Sequence, residues 1–169
     1  LDIYLIDGAD GEPHRLTQNP ASDYNAVFSP DGRWLVFTSD RGGNTDLYAL
    51  DLQDGSAPIR LTRDPALEDA ADISPDGERI TFVSTRDGNA DIFVMPFDPA
   101  NVSADERAVN LTNHPTGDFQ PAFVSDGHAI AFSRQPDYTD IQMDNPWMRQ
   151  VVQHLVTQLY LMDADGSNP

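Results

Sequence analysis

The chain has 169 residues, with 28 acidic against 10 basic side chains and a formal net charge of −18. Nucleic-acid binding needs basic surfaces that displace counterions, so this charge argues against it and leaves a cationic partner, a divalent metal or simple solubility. The chain is 39% hydrophobic, without an apolar run long enough for a membrane span, and its length suits one ordinary domain. Cysteine is absent, which excludes disulfides and cysteine-based metal sites.

Taken in chain order, residues 2–17 have the pattern of two short strands, and the clearest elements follow them. Ser29-Pro30-Asp31-Gly32 has turn chemistry, because proline pre-sets φ, aspartate bonds back to the backbone and glycine accepts a positive φ. The alternating residues 34–38 predict a strand with two packed faces, and a Gly-rich turn at 41–44 separates it from the next strand.

This phrase returns along the chain, at residues 74–96 and in a degraded copy from Ser125. A strand landmark marks the period, with spacings of 44, 45 and 67 residues, at Asp2-Ile3-Tyr4, Asp46-Leu47-Tyr48, Asp91-Ile92-Phe93 and Gln158-Leu159-Tyr160. A second landmark keeps the same phase, at Arg15-Leu16-Thr17, Arg60-Leu61-Thr62 and Asn110-Leu111-Thr112. Such a period is typical of four-stranded propeller blades of about 40–45 residues.

The repeats predict an all-β protein, a β-propeller built of four-stranded antiparallel blades, with about three repeats visible. We place the units roughly at 18–62, 63–112 and 113–169, preceded by strands of an adjoining blade at 1–17. Three blades are too few to close a ring. The chain is therefore expected to be part of a longer propeller, or to assemble head-to-tail as a dimer that completes a six-bladed ring.

The third unit carries an insertion at residues 135–157. Asn145 and Pro146 have the chemistry of a helix start, and the spacing of Trp147, Val151 and Leu155 predicts one apolar helix face. This short helix either packs on its own blade as a lid or makes a contact with a partner.

The phrases SPDGRWLVFTSDRGGNTDLYALD and SPDGERITFVSTRDGNADIFVMP, with RLT between them, resemble the TolB-type, WD40-like β-propeller repeat. The resemblance covers the chain outside the insertion and implies a periplasmic or otherwise extracytoplasmic protein. It also implies a non-catalytic scaffold that binds a protein or peptide. The alternative that it offers is the substrate-gating propeller of a hydrolase of the prolyl oligopeptidase type, whose catalytic domain lies outside this chain.

Three acidic residues, Asp23, Glu68 and Asp118, occupy one position before the inner strand of successive units. They are expected to ring a mouth of the central channel, with Tyr24 and Phe119 beside them as aromatic contacts. Such a ring would receive a basic partner segment, or hold Ca²⁺ or Mg²⁺ through carboxylate oxygens. Solvated carboxylates that cap loops are the simpler alternative, with no cofactor.

Two arginines recur five residues before an aspartate, Arg41 before Asp46 and Arg86 before Asp91, and a structural ion pair is expected for each. No G-x-S-x-G elbow is present, so the sequence gives no nucleophilic triad and points away from an enzyme. A propeller lyase with a histidine-bound metal is a further alternative, although no metal-ligand spacing joins the histidines His14, His114, His128 and His154.

Overall fold

A computed structural model describes residues 1–8, 10–101, 104–136 and 158–167. In these residues all strand pairs are antiparallel and form four sheets. The first is the pair β1 (Tyr4–Leu5) and β2 (His14–Arg15). Blade 1 comprises β3 (Asp23–Phe28), β4 (Trp34–Ser39), β5 (Asp46–Asp51) and β6 (Ile59–Arg60). Blade 2 comprises β7 (Glu68–Ile73), β8 (Arg79–Ser84), β9 (Asp91–Pro96) and β10 (Val109–Asn110). Blade 3 comprises β11 (Asp118–Phe123), β12 (Ala129–Arg134) and β13 (Gln158–Asp163).

The strand order within each sheet follows the chain, which is the meander of a propeller blade. The predicted all-β propeller architecture is therefore confirmed. A single-turn 3₁₀ helix, Ala104–Arg107, lies between β9 and β10 of blade 2. The predicted insertion helix, with Trp147, Val151 and Leu155, falls outside the described residues. Within the described ranges, no helix has the length and apolarity that a membrane crossing requires.

The central strands of blades 1 and 2 are buried on both faces, because each of these blades is packed between two neighbouring sheets. All six residues of β5 are buried, and five of the six in β4 and in β8. One apolar cluster joins blades 1 and 2 around Val36, Leu47 and Phe82, and another joins blades 2 and 3 around Ile92 and Phe132. This stacking explains why the strands contain continuous apolar runs instead of a simple in–out alternation.

The repeated SPDG phrase forms the tight turn between the first two strands of a blade. In blade 1 the Ser29 hydroxyl donates to Asp31, while Ser29 Oγ accepts from the backbone N–H of Trp34 at 2.8 Å. Gly32 has φ +69°, a left-handed conformation that an L side chain would strain. The Ser74 turn of blade 2 forms the same bonds, so local hydrogen bonding within the turn explains why the same residues recur in both blades.

The second landmark of the sequence holds the outer strands together. The threonine hydroxyl oxygen accepts a backbone N–H from the neighbouring strand in three repeats: from Ile3 to Thr17 at 3.0 Å, from Leu47 to Thr62 at 2.9 Å, and from Ile92 to Thr112 at 3.1 Å. The residue two positions before the threonine binds an aspartate of the neighbouring segment: Arg15 binds Asp2 at 2.7 Å, Arg60 binds Asp46 at 2.6 Å, and Asn110 Nδ2 donates to Asp91 at 3.1 Å. Both landmarks therefore carry structural roles, which accounts for their regular spacing.

The first strands of the three blades lie side by side, β3 against β7 and β7 against β11. Backbone hydrogen bonds link successive blades at the beginning of these strands: Glu68 N donates to Thr45 O at 3.0 Å, and Asp118 N donates to Ala90 O at 2.8 Å. Each first strand is the innermost strand of its blade. Their aligned starts therefore form one continuous edge around which a site can be built.

Candidate functional site: a cleft at the start of the innermost strands

A cleft of about 700 Å³ opens along the starts of the three innermost strands, within the size range of small-ligand and side-chain pockets. The other wall comes from residues at the adjoining ends of the second and third strands. Its lining consists of Tyr24, Asn25, Thr45, Leu67, Asp69, Ala70, Val83, Thr85, Ala90, Phe119, Gln120 and Ser133. Among the described residues, this lining contains no arginine, lysine or histidine.

The cleft is shaped by a β-bulge that recurs in every innermost strand. The pairing register shifts between Tyr24 and Val27 in β3, and at the same place in β7 and β11. Asn25, Ala70 and Gln120 adopt φ of 51°, 51° and 52° there. A non-glycine residue in this left-handed region is strained by roughly 1–2 kcal/mol. A threefold repetition of this strain indicates that the fold imposes the bend.

The residue before each bulge differs from blade to blade. Tyr24, Asp69 and Phe119 occupy this one position, as the second residue of β3, β7 and β11. Phe119 is 40% exposed, although aromatic side chains of this size are usually buried. One backbone geometry therefore presents two aromatic rings and a carboxylate to the same cleft. Tyr24 and Phe119 were predicted from the sequence as contacts, but Asp69 was not. An alignment of the repeats on the SPDG turns puts Asp69 at the same position as these two aromatic residues.

Asp69 is half-buried and is held by three neutral donors. Its Oδ1 accepts from Asn25 Nδ2 at 2.9 Å, from Thr38 Oγ1 at 2.8 Å and from the backbone N–H of Ala70 at 2.7 Å. The bonds from Asn25 and Thr38 cross from blade 1 to blade 2, so this carboxylate also ties the two blades together. Burial raises the pKa of the Tyr24 hydroxyl, helped by the negative charges of Asp69 and Asp40, so that Tyr24 stays neutral at physiological pH.

Asp23, Glu68 and Asp118 do not form the exposed acidic ring that the sequence suggested, because all three are buried, with at most 1% exposure. Each carboxylate is paired with an arginine of its own blade. Arg41 binds both oxygens of Asp23 at 2.8 Å, and Arg134 binds both oxygens of Asp118 at 2.7 and 2.9 Å. A buried carboxylate requires such a partner, since an unpaired charge would be strongly destabilising. Whether these three acids take part in binding a partner or a metal stays a prediction.

Each arginine is also stacked on two aromatic rings. The Arg41 guanidinium lies 5.1 Å from the ring centre of Phe37 and 4.8 Å from that of Tyr48, within the range of cation–π attraction. Arg86 and Arg134 repeat the arrangement in blades 2 and 3. We call this unit, consisting of the acid, the arginine and the ring pair, the arginine stack. Its sequence signal is an acid 18 residues before an arginine in blades 1 and 2, and 16 residues before it in blade 3.

The arginine stack of blade 2 departs from the other two, because glutamate replaces aspartate. Arg86 contacts only Oε1 of Glu68, at 3.2 Å, and turns its guanidinium to Asp105 at 2.9 Å. Glu68 Oε1 also accepts from Ser84 Oγ at 2.9 Å, whereas the buried Oε2 has no hydrogen-bond partner among the described residues. Burial raises the pKa of Glu68 to about 7, because the charged form is poorly compensated.

The predicted pairs Arg41–Asp46 and Arg86–Asp91 are wrong. Arg41 binds Asp23 instead, while Asp46 is bound by Arg60. Asp91 accepts hydrogen bonds from Asn110 and Thr112, which come from the following strand and loop. A spacing of five residues across a turn suggested proximity, but the arginine side chains run across the sheet to the first strand.

The structure does not bring the histidines of the described residues together. His14 lies in β2 and His128 follows the blade 3 turn, whereas the His114 ring bonds to Thr116 at 2.9 Å. His154 lies outside the described residues. Within the described part of the chain, no group of three or more histidine or acidic side chains is arranged to hold a metal ion.

The stacked antiparallel meanders, the innermost bulged strands and the cleft between them define the class of the protein as a β-propeller. Residues 1–65 match the family model described as the TolB beta propeller domain, so this part of the chain carries a TolB-type propeller repeat. It is 39% identical over 56 residues to the Tol-Pal system protein TolB of Bordetella pertussis, which corresponds to 32% of this chain and 13% of that protein. The structure of a TolB from Agrobacterium tumefaciens superposes with a TM-score of 0.76 at 28% identity, over 99% of this chain and 54% of that one.

The chain therefore spans only part of the proteins that it matches. Oligogalacturonate lyase from Vibrio parahaemolyticus has a TM-score of 0.65 at 16% identity, over 98% of this chain and 44% of that one. An identity this low shows the propeller fold alone. The fold therefore occurs both in a Tol-Pal system protein and in a lyase, and function must be argued from the cleft.

Proposed function

We propose that the chain is a non-catalytic propeller that binds a protein or peptide in the cleft at the start of its innermost strands. One observation supports this proposal above the others. The arginine stacks recur in all three blades, and the SPDG turns and the threonine hydroxyl bonds recur in blades 1 and 2. The position before the bulge, in contrast, carries a different side chain in each blade: Tyr24, Asp69 and Phe119. Side chains shared by all blades build the scaffold, while a specific partner requires side chains that differ.

The chemistry of the cleft suits recognition of a partner. Tyrosine and phenylalanine are enriched at the centres of protein interfaces, where they provide large apolar contact areas at a low entropic cost. Leu67, which is 53% exposed, extends the apolar wall beside Tyr24. Asn25 and Gln120 supply amide groups that can bond to the backbone of a bound segment.

The resemblance to Tol-Pal system TolB proteins supports the same proposal at a coarser level. By that likeness, the protein would work outside the cytoplasm, in the periplasm, as a component of a cell-envelope assembly. Its partner would be another protein, and the cleft would provide the contact that selects it.

The test uses peptides selected from a display library on the immobilised chain, with dissociation constants measured by fluorescence anisotropy. Phe119→Ala and Tyr24→Ala are expected to weaken binding at least about tenfold, as for aromatic interface anchors. Phe28→Ala is the matched control, because Phe28 is 47% exposed on β3 yet does not line the cleft. Equal losses for the Phe28 and Phe119 variants would show that binding occurs elsewhere, and the proposal would fail.

A further inference from the structure

We infer that the cleft takes a cationic group, the guanidinium or ammonium of an arginine or lysine in the bound segment, with Asp69 as its counter-ion between Tyr24 and Phe119. This inference rests on the proposed function and adds the chemical class of the ligand. It assigns a role to Asp69, which none of the repeated structural units uses.

The first argument is a charge without a counter-charge. The other acids at the start of the innermost strands, Asp23, Glu68 and Asp118, are each bound by an arginine. Asp69 forms no ion pair with any described residue, and its three hydrogen bonds come from neutral donors and all reach Oδ1. These bonds fix the carboxylate in place, while Oδ2 accepts none from the described part of the chain. A fixed carboxylate with one open oxygen attracts a cation in a cleft whose described lining carries no basic side chain.

The second argument is that this fold already binds guanidinium groups with the same set of partners. In blade 1, one carboxylate and two aromatic rings hold Arg41, with ring distances of 4.8 and 5.1 Å. The cleft presents one carboxylate, Asp69, and two aromatic side chains, Tyr24 and Phe119, and the described part of its lining contains no arginine. A guanidinium that enters from a partner would complete an intermolecular version of the arginine stack.

The third argument concerns strength. An ion pair on an open surface contributes little, because water screens it. Asp69 is instead half-buried beneath the rims of a cleft that is lined mostly by apolar and neutral side chains, where a charged hydrogen bond and cation–π contacts gain from partial desolvation. We expect a neutral isostere of arginine to bind at least about tenfold more weakly, which is roughly the effect of one charge-assisted hydrogen bond.

The experiment compares two probes of nearly the same size and shape, N-acetyl-arginine amide with its charged guanidinium and N-acetyl-citrulline amide with a neutral ureido group. Each is titrated into the ¹⁵N-labelled chain while the backbone amide resonances of Asn25, Ala70 and Gln120 are followed. The arginine amide is expected to shift these resonances with a dissociation constant at least about tenfold below that of the citrulline amide. Equal shifts by the two probes would overturn the inference without the need for any variant.

Asp69→Asn is the matched variant, because the asparagine carbonyl can still accept the bonds of Oδ1 while the negative charge is removed. It should abolish the advantage of the arginine amide. Asp54→Asn is the control, since Asp54 is exposed in the blade 1 turn and its loss changes the net charge equally. An Asp69→Asn protein that still prefers the arginine amide, or an Asp54→Asn protein that loses the preference, would refute the role of Asp69.

The outcomes separate this inference from the proposed function. Selected peptides that depend on Phe119 but contain no basic residue would leave the proposed function standing and refute the cationic ligand. If the arginine amide binds through Asp69 but no peptide is selected on the protein, the cationic ligand stands and the proposed function is refuted.

Discussion

Glu68 provides a test of the energetics through pH. Its carboxyl group is fully buried, and its pKa of about 7 lies above the unfolded value of 4.5. The folded state therefore binds a proton more tightly than the unfolded state, so the stabilisation is complete below pH 4.5 and is lost as the pH rises through 7. With these two pKa values, linkage gives a loss of about 2.5 kcal/mol in the free energy of unfolding between pH 5 and pH 8.

The assay is urea unfolding of the wild type and Glu68→Gln at intervals from about pH 5 to pH 8, with the difference in unfolding free energy plotted against pH. Glutamine does not titrate, yet it still offers an acceptor to Ser84 and Arg86. Burial also raises the pKa of Asp46 and Asp72, but both proteins contain these residues, so their contributions cancel in the difference. Wild type should lose about 2.5 kcal/mol relative to the variant over this range. A difference that stays constant with pH would refute the burial argument.

Two further predictions follow from the repeated units. Arg41→Ala should destabilise the chain by about 3–5 kcal/mol, because it leaves the buried Asp23 carboxylate uncompensated. Calorimetry should show a much smaller loss for Arg15→Ala, because the side chains of its ion pair with Asp2 are 43% and 22% exposed. Similar losses for the two variants would contradict the importance of burial. Ala70→Gly should stabilise the chain by about 1 kcal/mol, because glycine adopts φ 51° without strain. The control is Ala49→Gly in the buried strand β5, which should destabilise the chain. If Ala70→Gly also destabilised it, the strain inferred at the bulge would be contradicted.

The fold could be predicted from the sequence because its signals are local and repeated. Ser29 and Asp31 bond within their own turn, so the phrase that contains them indicates the turn directly. Thr62 bonds to a strand only 15 residues away, and its motif recurs in phase with the blades. Each repeat provides an independent copy of the same short-range pattern. Together they specify a blade without any knowledge of tertiary contacts.

The partners of the charged residues could not be predicted in the same way. The sequence correctly predicted that Asp23 lies at the start of an innermost strand. Its burial could not be predicted, because it depends on the ion pair with Arg41, which lies 18 residues later and reaches Asp23 across the sheet. In blade 3 the same role passes to Arg134, which directly opposes Asp118 in the pairing register, two positions earlier than the arginine in the other blades. Blade 3 thus keeps the interaction and changes its spacing, so a search for a fixed interval misses it.

The structure also shows why a repeat protein can change its ligand without losing its fold. The bulge at Asn25, Ala70 and Gln120 depends on backbone geometry, and the residue before it can be tyrosine, aspartate or phenylalanine. The arginine stacks, in contrast, depend on the length of the acid: one added methylene at Glu68 leaves a buried oxygen without a hydrogen-bond partner among the described residues. Stability is therefore concentrated in the repeated stacks, while the position before the bulge is free to vary. Asp69 connects the two, because it lies at a variable position and yet joins blades 1 and 2 through Asn25 and Thr38. A cation bound to the open oxygen of Asp69 would then affect the contact between blades 1 and 2.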